Sequence, residues 1–156
     1  MHTVTQALEN RAITLPRPNP PAGNYRPVMV HQGWVAISGQ TPKQDGQLVY
    51  RGKVGRDLDE PEAIEAARLC GLNLLSQLHV ACEGHWDNLL QCMKLTVFVN
   101  CTDTFDRMPQ IADGVSNLLV ELLGDKGLHS RSAVGVASLP GGAAVEVDGL
   151  FIVRAD

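Results

Sequence analysis

Arg131 and Glu146 are the residues of this 156-residue chain whose types and setting best fit chemistry. They lie in the stretch from His129 to Val153. There Val134 and Val136 alternate with small residues, which is a strand pattern. Leu139-Pro140-Gly141-Gly142 breaks the alternation, as Pro and Gly do where a chain turns. A second alternation follows through Val145, Val147, Gly149, Phe151 and Val153. The spacing predicts a β-hairpin. If its turn centres on Pro140 and Gly141, Glu146 lies opposite Gly135. Side chains alternate faces with a period of two. One face then carries Val134, Val136, Val145, Val147, Phe151 and Val153, a core face. The other carries Arg131, Ala133, Gly135, Ala137, Ala144, Glu146 and Asp148, a hollow of small residues between an arginine and a carboxylate. In this register the two charges stand about 13 Å apart along a strand. The residues alone leave two readings open, a small-ligand site and a plain ion pair.

Other chemistries lack their signatures. The chain has no P-loop, GxGxxG, HExxH or G-x-S-x-G pattern. Cys70, Cys82, Cys92 and Cys101 include no CxxC pair and no His at zinc-site spacing. What remains is a metal-free, cofactor-free site built from one arginine, one glutamate and backbone groups.

The elements that must position these residues can be read in order. Residues 3–10 suit a short helix with Val4, Ala7 and Leu8 on its apolar edge. Residues 15–27 hold five prolines and must be extended, so residues 1–27 form an extension lying over one domain of 1–156. That extension delivers Asn24-Tyr25-Arg26 to a definite place, with Tyr25 a rim aromatic. Strands are expected at 28–30 and 34–38, turning at His31-Gln32-Gly33. Ser38-Gly39-Gln40-Thr41-Pro42 ends the second, and a glycine there permits close approach of another group. Lys43, Arg51, Lys53 and Arg56 read as a solvated basic loop. A long helix starts near Asp57-Leu-Asp-Glu-Pro61 and ends near Gly84. His79, near its end, reads as a surface or capping residue. Residues 93–99 are a strand with Leu95, Val97 and Val99 on one face. Thr102 or Asp103 is expected to cap a second helix, regular from Pro109, with Ile111, Val115, Leu118 and Leu122 as its stripe and Gly124 as its stop. Two helices cover one face of a sheet, yet several strands are apolar on both faces. A partner subunit is the simplest cover for the second face, which would place Arg131 and Glu146 near the interface.

Composition bounds the rest. Thirteen Lys+Arg against seventeen Asp+Glu give a net charge of −4, which disfavours nucleic-acid backbone binding. No stretch is long and apolar enough to predict a membrane span, and nothing marks a secretory leader. A reducing cytoplasm with free buried thiols is expected.

With these residues in hand, the chain resembles the RidA/YjgF family, reactive intermediate deaminases often labelled endoribonuclease L-PSP. The signature R-[ST]-x-V-x-V-x-x-L-P-x-x-x-x-[IV]-E is matched by Arg131, Ser132, Val134, Val136, Leu139, Pro140, Val145 and Glu146. Ser38-Gly39-Gln40-Thr41-Pro42 and Thr96-Val-Phe-Val99 add to it, over roughly residues 25–153. The N-terminal extension is similar to that of one bacterial subgroup. The resemblance implies an α+β, chorismate-mutase-like fold, a mixed sheet with two helices on one face, and a homotrimer with clefts between subunits. It implies hydrolysis of 2-enamine and 2-imine acids, such as 2-aminoacrylate, to 2-keto acids and ammonia, without cofactor or metal. Arg131 would grip the substrate carboxylate, Glu146 would activate the attacking water, and Tyr25, Ser38 and Gly39 would line the cleft with Ala133. Two positions depart from the pattern: Ala133 stands where relatives commonly carry cysteine, and Pro109 where they often carry asparagine. A non-catalytic trimer that binds a small carboxylate or serves as a scaffold is the alternative. RNA cleavage is the weaker one.

Overall fold

The computed structural model describes residues 3–155. Its sheet has five strands. In chain order these are β1 (Val28–His31), β2 (Trp34–Gln40), β5 (Leu89–Asn100), β6 (Ser130–Val136) and β7 (Val145–Val153). A separate two-stranded ribbon, β3 (Lys43–Gln44) with β4 (Gln47–Leu48), lies between β2 and the first long helix. The helices are α1 (Val4–Asn10), α2 (Glu60–Ala81) and α3 (Met108–Leu123).

The strand order is β1-β2-β7-β5-β6, and every neighbouring pair is antiparallel except β5 with β6. The expected hairpin between 130–136 and 145–153 is therefore not formed, because β5 is inserted between its two arms. Gly135 pairs with Val99 and Glu146 with Phe98, rather than with each other. The physical reason is the helix α3 between β5 and β6. A parallel pair needs a long crossover, and α3 supplies one. The Leu139–Gly142 turn then carries the chain across the end of β5. Asn100 holds it there: its backbone N–H donates to Ala144 O (2.9 Å) and its Nδ2 to Ala143 O (3.1 Å).

Both long helices pack on one face of the sheet. The acid-and-proline start of α2 forms a full capping box, with Asp59 accepting from Glu62 N and Glu62 returning a bond to Asp59 N. His79 near its end bonds Gly84 O at 3.0 Å and stacks on Trp86 at 4.7 Å. In α3, Ile111, Val115, Leu118, Leu119 and Leu122 are buried, and Gly124 ends the helix at φ 60°. Neither Thr102 nor Asp103 caps it. The helix begins after Arg107, which makes no side-chain cap and reaches across to Glu60 instead (2.7 and 3.0 Å).

The core is one cluster between the helices and the inner face of the sheet. Val35, Leu95, Val97, Val99, Val145, Val147 and Phe151 supply the sheet side. All four cysteines are free and buried. The basic loop is not simply solvated. Lys53 Nζ donates to Asn100 Oδ1 (2.8 Å) and to the carbonyls of Cys101 and Ala137, tying the ends of β5 and β6 together. Arg51 donates twice to Gly141 O (3.1 and 2.9 Å). Among the described residues no helix lies on the outer face of the sheet, and Met29, Trp34, Val134 and Leu150 are exposed there.

Candidate functional site

The site begins at an irregularity in β2. Pairing with β7 is regular from Trp34↔Ile152 to Ile37↔Gly149 and resumes at Gln40↔Val147. Ser38 and Gly39 together oppose the single residue Asp148, one residue in excess, and such a bulge bends the strand and re-aims its side chains. It sets the Gly39 backbone directly under Glu146. A Cβ at residue 39 would stand 2.0 Å from Glu146 Oε1, so no other amino acid fits while the carboxylate stays where it is. The glycine at the strand's end is thus a steric requirement of the glutamate.

Ser38 also anchors the segment before β1. Its backbone N–H donates to Pro27 O (2.9 Å) and its hydroxyl to Arg26 O (3.0 Å). This fixes Tyr25, whose hydroxyl accepts from Ala22 N at 3.1 Å and whose ring is about half exposed at 48 %. Tyr25, Ser38, Gly39 and Glu146 therefore share one cavity of about 700 Å³, with Pro140 and Gly141 along its rim.

Glu146 is half-buried. No hydrogen bond or ion pair reaches its carboxylate among the described residues, and burial, with the Asp148 charge adding to it, pushes its pKa up. A bare carboxylate shifted toward neutrality can exchange a proton with a ligand or a water.

Arg131 is placed differently. It pairs with Leu95 on β6, so its side chain lies on the helix-covered side of the sheet. Glu146, two strands away, projects to the outer side beside Phe98. The common hollow expected from the sequence does not exist within one chain, because the face assignment assumed the hairpin. Ala133 shares the inner side with Arg131 and packs against the core beside Val97.

Three positions on α3, at 109, 113 and 116, receive the guanidinium. Nη1 donates to Asp113 Oδ1 (2.8 Å) and to Ser116 Oγ (3.0 Å), and Nη2 to Pro109 O (3.2 Å). These contacts use three of the five guanidinium N–H groups, which leaves Nε–H and one Nη2–H for a ligand. Ser116 continues the chain of bonds to His129 Nε2 (2.9 Å), and His129 Nδ1 meets Gly127 O at 2.6 Å. A carbonyl only accepts, so His129 Nδ1–H is the donor to Gly127 O.

Asp113, Ser116 and His129 were not among the sequence candidates. The signal available for them was the spacing 109, 113, 116 along one face of a helix that must lie over β6. It becomes legible only once β6 is paired with β5. Among the described residues no group of three or more His, Cys, Asp or Glu side chains is gathered as a metal site would need.

A family described as "YjgF/chorismate_mutase-like, putative endoribonuclease" matches residues 6–147. Protein TCP17 of Trypanosoma cruzi is 40% identical over 148 residues, spanning 94% of this chain and 92% of that one. Among solved structures, a protein described as a putative endoribonuclease from Shewanella oneidensis superposes with a TM-score of 0.93 at 30% identity, covering 97% of this chain and 100% of that one. The protein Atu1372 of Agrobacterium tumefaciens superposes with a TM-score of 0.90 at 35% identity, covering 97% and 94%.

Proposed function

The chain belongs to the YjgF/chorismate-mutase-like family, and from that premise we propose that it hydrolyses reactive 2-enamine and 2-imine acids to 2-keto acids and ammonia. The observation that carries this reading is the Glu146 carboxylate, half-buried, unpartnered and seated on Gly39. A buried carboxylate without a structural partner is costly, and a proton-transfer role accounts for it.

The cleft is proposed to form between subunits of a homotrimer. Arg131 and Glu146 stand on opposite sides of one sheet, so one chain cannot bring both to a small substrate. The uncovered outer face gives a second copy a place to pack. The remaining N–H groups of Arg131 then hold the substrate carboxylate from one subunit, and Glu146 faces the imine carbon from the next. An enamine such as 2-aminoacrylate first takes a proton at its methylene carbon and becomes an iminium. Glu146 accepts a proton from water as the water oxygen bonds to C2. It then returns that proton to the amine nitrogen, and the C–N bond breaks as the hydroxyl proton passes to Glu146, releasing ammonia and leaving the keto acid; that hydroxyl proton balances the one taken up at carbon. No metal or redox cofactor enters this balance.

A second reading keeps the trimer and the ligand but removes the chemistry. It is favoured by Arg131 being already held by Asp113, Ser116 and the Pro109 carbonyl. RNA cleavage, the activity in the family's description, has less support. The Glu146 cavity has no histidine among its described lining residues, and its one arginine, Arg51, is spent on Gly141 O.

The deciding experiment generates 2-aminoacrylate enzymatically and follows pyruvate formation. Acceleration by the wild-type chain and its loss in Glu146→Gln support deamination. Binding of pyruvate without acceleration supports the non-catalytic reading.

A further inference from the structure

Behind Arg131 stands a histidine that the proposed chemistry does not use. Arg131 Nη1 donates to Ser116 Oγ at 3.0 Å, and the same oxygen lies 2.9 Å from His129 Nε2. Imidazole and guanidinium are therefore no more than about 6 Å apart through one hydroxyl, close enough for each to feel the other's charge.

The frame around His129 is fixed by backbone. Its Nδ1–H donates to Gly127 O at 2.6 Å. Gly127 is buried and pressed onto α3: a Cβ there would lie 2.4 Å from Leu119 O, so only glycine fits. Gln91 Nε2 donates to Leu128 O at 2.6 Å, which ties the residue before His129 to β5. With Nδ1 committed, Nε2 meets Ser116 in one of two states. Bare, it accepts the hydroxyl proton. Protonated, it donates to the hydroxyl oxygen and adds a positive charge beside Arg131.

Charge balance selects between these states. Arg131 and Asp113 offset one another at 2.8 Å. The other charged groups on the surrounding elements are placed elsewhere. Glu121, the second acid of α3, is taken by Arg11 and Arg68, and Lys126 Nζ reaches Leu89 O. Lys94 lies on the outer side of the sheet with Ser130, and Asp125 is exposed on the turn before His129. Across the proposed cleft the remaining titratable group is Glu146 of a neighbouring copy. A ligand carboxylate on Arg131 thus brings one uncompensated negative charge, and a nearby opposite charge favours the charged form of a titratable group.

We propose that His129 and Ser116 are positioning residues of the carboxylate clamp, and that a carboxylate binding to Arg131 draws a proton from solvent onto His129 Nε2. That proton compensates the incoming charge. The Ser116 oxygen then accepts from both cations on its two lone pairs and turns its own proton away from His129. Coupling of this kind is reciprocal, so the clamp holds small carboxylates more tightly as pH falls through the range where histidine takes up its proton. The inference rests on Arg131 as a carboxylate clamp and adds the residues that set its affinity.

Titration calorimetry of the full-length protein with pyruvate tests this without turnover. Pyruvate stays ionised throughout, so a pH dependence belongs to the protein. Between about pH 8.5 and about pH 5.5 the affinity should rise at least about fivefold, the lower end of ordinary coupling between sites. Heats measured at one pH in phosphate and in Tris, which differ in their own heats of ionisation, should report net proton uptake. Glu146→Gln should keep the pH dependence. His129→Gln offers Ser116 an amide that carries no charge, and its affinity should be flat across the range. Ser116→Ala should weaken binding and flatten the dependence, and Ser116→Thr, which keeps the hydroxyl, should restore both. Imidazole NMR of the wild type reads the same event without substitution: one of the five histidines should hold its proton to higher pH with pyruvate bound. Equal affinity at both pH values, or a dependence that survives His129→Gln, overturns the inference and leaves the clamp. A dependence lost in Glu146→Gln instead overturns it in favour of the glutamate. Absence of pyruvate binding at every pH overturns the clamp and this inference together.

Discussion

Gly39 is where the proposed chemistry is most sensitive to a single atom. Gly39→Ala puts a methyl group into the space of Glu146 Oε1, so the carboxylate must move. A displacement of about 1 Å can cost on the order of a hundredfold in rate. The expected result is a large loss of imine turnover with the circular-dichroism spectrum and melting cooperativity retained. Glu146→Gln should act differently, lowering turnover far more than it weakens keto-acid binding, and it has a stability signature. Burial raises the Glu146 pKa, so the folded chain keeps this proton to a higher pH than the unfolded chain does. Stability falls as pH rises through that interval, and the penalty is complete above the raised value. Glu146→Gln should therefore melt higher than wild type at pH 7 to 8, with the gain vanishing below the ordinary carboxylate range. Equal Tm differences at both ends would contradict the buried, unpartnered carboxylate. At this scale the family resemblance grouped Gly39, Ser38, Tyr25 and Glu146 with Arg131 and Ala133; the first four line one cavity, and the last two lie on the other side of the sheet. Asp113 and Ser116 were not legible, because a polar residue on an exposed helix face carries no local mark of the strand beneath it.

The elements that matter are α3 and β6, where the local sequence pattern permits two topologies. Pro140-Gly141-Gly142 is turn chemistry, and turn chemistry serves a hairpin and a crossover end equally well. The pattern of strand 93–99, helix and strand 130–136 pointed to a parallel βαβ unit instead. Once β5 takes the place between β6 and β7, Arg131 changes sides and meets α3. There Asp113 occupies the guanidinium much as a ligand carboxylate would, at 2.8 Å, while being itself 55 % exposed. Exposed ion pairs are worth about 0.2–1 kcal/mol, so Asp113→Asn should tighten binding of small 2-keto acids by up to about fivefold. Arg131→Ala should weaken it at least about tenfold, since the charged hydrogen bonds contribute about 1.5–3 kcal/mol. Titration calorimetry distinguishes the two directions. Unchanged affinity in both variants would remove Arg131 from the binding site.

For the whole molecule, the sheet's uncovered face is the main unspent surface. Met29, Trp34, Val134 and Leu150 come from four different strands and are each exposed by between 39% and 53%. The expectation of two helices on one face of a two-faced sheet was legible from strand composition, because apolar residues on both sides of a strand need two covers. Sedimentation equilibrium should find a trimer at micromolar concentration, and Trp34→Asp should shift it to smaller species. In the proposed trimer, Arg131 and Glu146 act together only across a subunit boundary. Co-expression of Arg131→Ala with Glu146→Gln chains tests it most directly. Each variant alone should turn over 2-aminoacrylate at least about tenfold more slowly than wild type at low substrate. In randomly mixed closed rings, each cleft draws its arginine from one subunit and its glutamate from the next, so about one quarter of clefts regain both and about one quarter of wild-type turnover returns. No recovery in verified mixed trimers would contradict the shared cleft.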